Sequence, residues 1–185
     1  RTYNGAGYER EHDDYPTKSR NSFNASFALS QVVNQRLQLM FLLDVAYQQG
    51  QLALPFHRVY FTENSVKSEM LPTTRFKLPV GVRANYFLGN NIVLRSFYRY
   101  YHDDWGLTAH TAELETAVKI TASFSVSPFY RYYTQTGADY FAPYQQHALT
   151  DTYYTSNYDL SKFNSHFIGA GIRYASPTGV LGILH

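Results

Sequence analysis

A five-residue string occurs twice in this chain, as Phe97-Tyr98-Arg99-Tyr100-Tyr101 and as Phe129-Tyr130-Arg131-Tyr132-Tyr133, and few folds can accommodate it. In an extended strand, successive side chains point to opposite faces. Tyr98 and Tyr100 then share one face, and Phe97, Arg99 and Tyr101 share the other. The second copy divides Tyr130 and Tyr132 from Phe129, Arg131 and Tyr133 in the same way. One face is aromatic and the other is charged. The inner face of a soluble sandwich rarely takes arginine. A membrane β-barrel inverts the usual order, with an apolar outside, a polar inside and aromatic belts where lipid meets water.

The same alternation runs through other segments. Ser22–Ser30 sets Phe23, Ala25, Phe27 and Leu29 against Ser22, Asn24, Ser26 and Ser30. Arg36–Gln49 sets Leu37, Leu39, Phe41, Leu43, Val45 and Tyr47 against Arg36, Gln38, Asp44 and Gln48. A helix would smear these charges and leucines around its circumference, so period two is the better fit. Arg75–Leu88 has an unbroken apolar face from Phe76 to Leu88, with Arg75, Lys77, Arg83 and Asn85 opposite. Ile92–Tyr101, Thr108–Ile120, the run around the second aromatic string, Phe163–Tyr174 and Val180–Leu184 bring the expected strands to eight. These runs exceed the roughly 5–6 residues usual in globular strands and reach the ~9–11 that a tilted membrane strand needs.

Short links around Asn34, Asn90, Ala122 and Thr178 alternate with looser ones, Gly50–Thr74, His102–Leu107 and Gly137–Lys162. Short periplasmic turns and longer external loops sort in this way in a transmembrane barrel. The expected fold is therefore all-β, an antiparallel up-and-down transmembrane β-barrel, with residues 1–185 forming a single domain. If the short turns face the periplasm, the first and eighth strands begin and end outside. Barrels of this class normally keep both termini in the periplasm. The expectation is an internal portion of a longer chain whose barrel has ten or more strands.

Composition narrows the function classes. No run of about 20 apolar residues is present, which excludes a transmembrane helix. Net charge is only +2 with no basic run, so no nucleic-acid footprint is expected. With no cysteine there is no disulfide framework, thiolate metal site or cysteine nucleophile. The chain holds 18 Tyr and 13 Phe against one Trp, and the amphipathic tyrosine ring suits a membrane interface.

The strongest chemical signal is the set on the inward face: Arg36, Asp44, Arg83, Arg95, Arg99, Glu113, Glu115, Lys119, Arg131 and Arg173. Two readings stay open. One is a cross-strand ion-pair network that stiffens the lumen. The other is a cation-rich constriction that selects anionic solutes. Tyr86, Tyr98, Tyr100, Tyr130, Tyr132 and Tyr174 are the expected aromatic girdle, and the lipid bilayer is the expected partner.

His12-Asp13-Asp14 and His102-Asp103-Asp104 place histidine beside two carboxylates, suited in principle to a divalent ion or to activating water at a barrel rim. Adjacent residues on a strand diverge, so a solvated loop is the better reading and no metal or cofactor is expected. His110, His147 and His166 fall at no recognisable ligand spacing. Ser165 and His166 are adjacent and face opposite ways, which defeats a nucleophile–base contact. No catalytic residue is assigned. Tyr140-Phe141-Ala142-Pro143-Tyr144 and Tyr153-Tyr154 make the segment Gly137–Lys162 aromatic, as suits either a membrane rim or a surface that docks other outer-membrane or surface proteins.

Several of these strings also resemble a known family. Tyr98-Arg99-Tyr100-Tyr101-His102-Asp103-Asp104-Trp105-Gly106, Ala109-His110-Thr111-Ala112-Glu113 and Arg131-Tyr132-Tyr133-Thr134-Gln135-Thr136, with Ala138-Asp139-Tyr140-Phe141, are similar to Gram-negative outer-membrane proteins catalogued as domain of unknown function 3570. Leu54–Tyr60 and Asp151–Leu160 extend the resemblance over most of the chain. It implies a barrel in the outer membrane and longer members with a signal peptide and further C-terminal strands. It brings no activity, ligand or site residue. The expectation is thus an integral outer-membrane barrel that passes small solutes. The alternative is a scaffold subunit of a membrane assembly, and a rim-sited hydrolase is a distant third.

Overall fold

The structure, a computed structural model, describes residues 19–175. The expected strand Val180–Leu184, most of the N-terminal segment and the triplet His12-Asp13-Asp14 lie outside the described residues.

Seven long strands form one antiparallel sheet: β1 (Arg20–Asn34), β2 (Leu37–Gly50), β5 (Thr74–Leu88), β6 (Ile92–Asp103), β7 (Thr108–Lys119), β8 (Phe124–Gln135) and β9 (Phe163–Tyr174). Each pairs with its neighbour in chain order, an up-and-down meander. The segment expected to be a plain link between β2 and β5 contains a small hairpin, β3 (Arg58–Tyr60) and β4 (Val66–Ser68). Strands of three residues are too short to show alternation in a sequence. Among the described residues β1 and β9 are edges, and the sheet is not closed.

Side chains hold the short turns in shape. Asn34 Oδ1 accepts the N–H groups of Arg36, at 2.9 Å, and Leu37, at 3.0 Å. Thr121 Oγ1 does the same for Ser123 and Phe124. Gly89 turns β5 into β6 at φ +65°, a conformation that favours glycine. The other end of the sheet carries the long connections, residues 51–73 and 136–162.

The register fixes the faces. Met40, Arg83, Phe97, Glu113, Arg131 and Phe167 lie in one row across six strands. The next row along is Phe41, Val82, Tyr98, Ala112, Tyr132 and His166. Directly opposite residues share a face, so one face is charged and the other apolar and aromatic. The apolar face is bare: Phe27 is 63% exposed, Leu114 50% and Ile168 79%.

The buried apolar core lies at the loop end. Leu71, Trp105, Leu107, Ala109 and Ala138 form one cluster, against which Tyr101, Tyr133, Tyr140 and Leu160 pack. Val59, Phe61 and Tyr154 form a second. Residues 51–73 and 136–162 are thus one folded cap. Isolated bridges join Phe61 to His147 and Met70 to Tyr154 across the two segments. Asn64 and Gln145, non-glycine residues at positive φ of 59° and 57°, are joined by a 2.7 Å hydrogen bond from the Gln145 side chain.

Candidate functional site

Tyr101, Ala109 and Tyr133 belong to the charged face and pack into the cap, so the loops fold over that face and leave the apolar one uncovered. The two aromatic strings anchor the cap in parallel ways. The Tyr101 hydroxyl donates to Asp103 Oδ2 at 2.8 Å, and that of Tyr133 to Gln135 Oε1 at 2.5 Å. Asp103 also accepts the backbone N–H groups of Trp105 and Leu107 and the Arg75 guanidinium, fixing the β6–β7 turn. Gln135 Nε2 donates to the carbonyls of Asp159 and Ser161, fixing residues 136–162. Arg75 lies 4.3 Å from the ring centroid of Trp105, whose Nε1 donates to the Thr74 carbonyl at 3.0 Å.

Seven of the ten inward charges meet at the centre of the sheet. Arg95 bonds Glu115 at 2.8 Å and Arg131 bonds Glu113 at 2.6 Å, both across neighbouring strands. Arg99 approaches Asp44 only to 3.9 Å, and Arg83 rests 5.5 Å from the Phe97 ring centroid. Lys119 and Arg173 share the face by register but line a separate hollow beside the β7–β8 turn. Arg36 sits in the β1–β2 turn and is not brought to the group. The exposed Arg–Glu pairs each contribute at most about 1 kcal/mol, so their role is to neutralise particular arginines more than to hold the sheet.

Two connected hollows run along this face. The upper, about 350 Å³, lies between the cap and the sheet and is lined by Arg75, Tyr101, Asp159 and Leu160. The lower, about 640 Å³, includes Arg83, Phe97 and Phe167. Arg99, Thr111 and Tyr133 line both.

On the opposite face the repeat recurs in a form that the sequence did not disclose. The Tyr98 hydroxyl lies 2.7 Å from His110 Nδ1, and the Tyr130 hydroxyl lies 2.7 Å from His166 Nδ1. Tyr100 packs on His110 and Tyr132 on His166, with ring centroids 5.3 and 5.0 Å apart. Of the expected girdle, Tyr98, Tyr100, Tyr130 and Tyr132 gather here. Tyr86 and Tyr174 stand at the short-turn end of the same face.

The triplet at His102 is taken apart by alternation. Asp103 turns inward to Arg75, Asp104 accepts the Phe76 N–H, and His102 Nδ1 lies 3.3 Å from Thr108 Oγ1. Among the described residues no group of three His, Asp or Glu side chains could hold a metal ion. Ser165 lines the lower hollow while His166 lies on the other face. His147, in the cap, sits with Nδ1 3.1 Å from Asp151 and Nε2 2.9 Å from the Thr155 carbonyl.

These features define an all-β antiparallel meander with one apolar face and one charged, loop-capped face. The chain belongs to a family described as protein of unknown function (DUF3570), whose model matches residues 3–179. No curated protein and no solved structure matches it.

Proposed function

We propose that this chain forms part of the wall of an integral outer-membrane β-barrel in a Gram-negative bacterium, and that the charged face lines a conduit for small solutes. The carrying observation is the pairing of a bare apolar face with a charged face that the loops cover. In water, strands of 12–15 residues with that much exposed apolar surface would associate or aggregate. In lipid the same face is solvated, Tyr86 and Tyr174 at the short-turn end and Tyr100 towards the cap meet the headgroups, and the edges of β1 and β9 are paired within a closed wall.

Single-cysteine labelling tests this cleanly, because the chain has no cysteine of its own. Cysteines at Arg83, Arg95, Arg99 and Arg131 should react with a water-soluble reagent in the membrane-embedded protein. Those at Val82, Leu94 and Tyr132 should react only with a lipid-soluble one. The opposite pattern, or a protein that stays monodisperse without detergent, would mean a soluble β-domain.

One observation supports a second reading. The cap presents Phe56, Tyr144 and Tyr158 to solvent, at 66%, 59% and 63% exposure, on a folded platform that could dock another chain. A conductance step in planar bilayers favours the conduit. A silent bilayer together with a stable partner on the cap favours the scaffold.

A further inference from the structure

The two arginines of the repeated string are not equivalent. Arg131 has Glu113 directly opposite and bonds it, whereas Arg99 has Gly81 and Thr111 as its cross-strand neighbours. Arg83 faces Met40 and Phe97. The register thus supplies Arg95 and Arg131 with carboxylates and withholds them from Arg83 and Arg99. Among the described residues no carboxylate lies within 4 Å of Arg83, and Arg99 reaches only Asp44, at the long distance of 3.9 Å. Since Arg83 is two residues beyond Gly81 on β5, it is the diagonal neighbour of Arg99 and on the same face. Both line the 640 Å³ hollow.

The far wall of that hollow is aromatic. Tyr133, Phe163 and Phe167 line it, with Phe163 and Phe167 exposed at 41% and 54%. Tyr133 and Phe163 pack at 5.5 Å between centroids, and Phe167 packs on Phe129 at 5.5 Å. Thr111 and Ser165 give the floor hydroxyl groups. Two guanidinium forks and an aromatic wall lining one hollow suit a ligand with an anionic head and a flat apolar body.

We propose that this hollow is a binding site for an aromatic carboxylate, its carboxylate held by Arg83 and Arg99 and its ring set against Tyr133 and Phe163. The proposal rests on the reading of the charged face as the lumen and assigns that lumen a solute class. Arg99, which lines both hollows, would pass the anion between the capped chamber and the open one. Arg131 and Glu113 line the same hollow as a neutral pair and Arg95–Glu115 lies outside it as another, so the positive potential is concentrated at Arg83 and Arg99 instead of being spread over the face.

The test is calorimetric titration of the purified full chain in detergent with 1-naphthoate and with its neutral analogue 1-naphthamide. Saturable binding of naphthoate is expected, with the amide at least about tenfold weaker. Arg83→Gln and Arg99→Gln should each weaken naphthoate about tenfold or more, as charge-assisted hydrogen bonds require. Arg99→Lys keeps the charge but loses the fork and should fall between. Lys119→Gln, on the same face but in the separate hollow near the β7–β8 turn, should change nothing. Equal binding of acid and amide, or an equal loss in Lys119→Gln and Arg99→Gln, would overturn the site. Unchanged circular dichroism and Trp105 emission in each variant separate loss of the site from loss of the fold. The cysteine pattern above reports separately on the lumen, so a correct lumen without a site and a site on a soluble sheet give different results.

Discussion

One carboxylate oxygen of Asp103 accepts Nε of Arg75 at 3.0 Å and a second guanidinium nitrogen, while the other takes the N–H groups of Trp105 and Leu107 at 3.0 and 3.1 Å. The Asp103 side chain is fully buried and that of Arg75 is largely so. Removing one member of a buried charge pair leaves the other uncompensated, at about 3–5 kcal/mol. Asp103→Ala should therefore loosen the cap by that order, and Asp103→Asn, which keeps an acceptor for the turn, by less. Urea unfolding followed through Trp105, the chain's one tryptophan, measures it. An Asp103→Ala midpoint equal to that of the parent protein would mean that the hub does not hold the cap.

Gly106 stands at φ +78°, and a Cβ built there would lie 2.3 Å from the Asp139 carboxylate. Gly89 has a similar φ of +65° but nothing within 4 Å of a built Cβ. The pair separates backbone strain from crowding. Gly89→Ala should cost about 1–2 kcal/mol from the left-handed conformation alone. Gly106→Ala should cost more, because the Asp139 carboxylate, whose own backbone N–H donates to the Trp105 carbonyl, must also be displaced. Equal losses by thermal denaturation would show that the Asp139 side chain yields freely.

Alternation made the sheet legible. The apolar and charged faces of β5, β6 and β7 could be assigned from Phe76–Leu88, from the aromatic string and from Glu113 and Glu115. What stayed hidden depends on pairings with no fixed sequence spacing. Tyr98 and His110 are separated by 12 residues, but Tyr130 and His166 by 36, because the second pair spans the long connection. No period could link the two histidines. The cap was hidden for another reason: β3 and β4 have three residues each, and the left-handed residues at its joint are Asn64 and Gln145, not glycines that would have flagged them. Asp103 looked like one of three adjacent candidate ligands, although strand alternation already implied that it points away from His102.

Burial raises the phenol pKa of Tyr154 above its ordinary value, and that of Tyr140 too, where the Asp139 charge adds to the effect. A raised value in the folded state means that the fold holds the proton more tightly than the unfolded chain does. The associated stability is complete below the unfolded value of about 10 and is lost as pH rises through the folded value. The cap should thus weaken above about pH 10. A Tyr140→Phe, Tyr154→Phe double variant removes both titrations and should show a flatter alkaline limb in protease-nicking assays on residues 136–162. Identical limbs would place the alkaline sensitivity elsewhere.

Leu114 is at the middle of β7 on the apolar face, directly opposite Ser96 and Tyr130 and half exposed. Its environment separates the two solvents this face could have. If the face meets lipid, Leu114 sits near the bilayer midplane, where an arginine costs about 2–4 kcal/mol, falling towards zero at the interfaces. If the face meets water, an exposed Leu→Arg change should lie within about 0.5 kcal/mol of neutral and should even improve solubility. Leu114→Arg should therefore lower the folding equilibrium in phospholipid vesicles by the larger amount. Thr134→Arg, close to the cap on the same face, should be nearly silent. A steep dependence on depth along the strand is a signature of a bilayer, because a soluble partner covering the same patch would impose no gradient along the membrane normal. A flat response at both positions would remove the membrane from this chain, while leaving the Arg83–Arg99 hollow to be judged on its own titration.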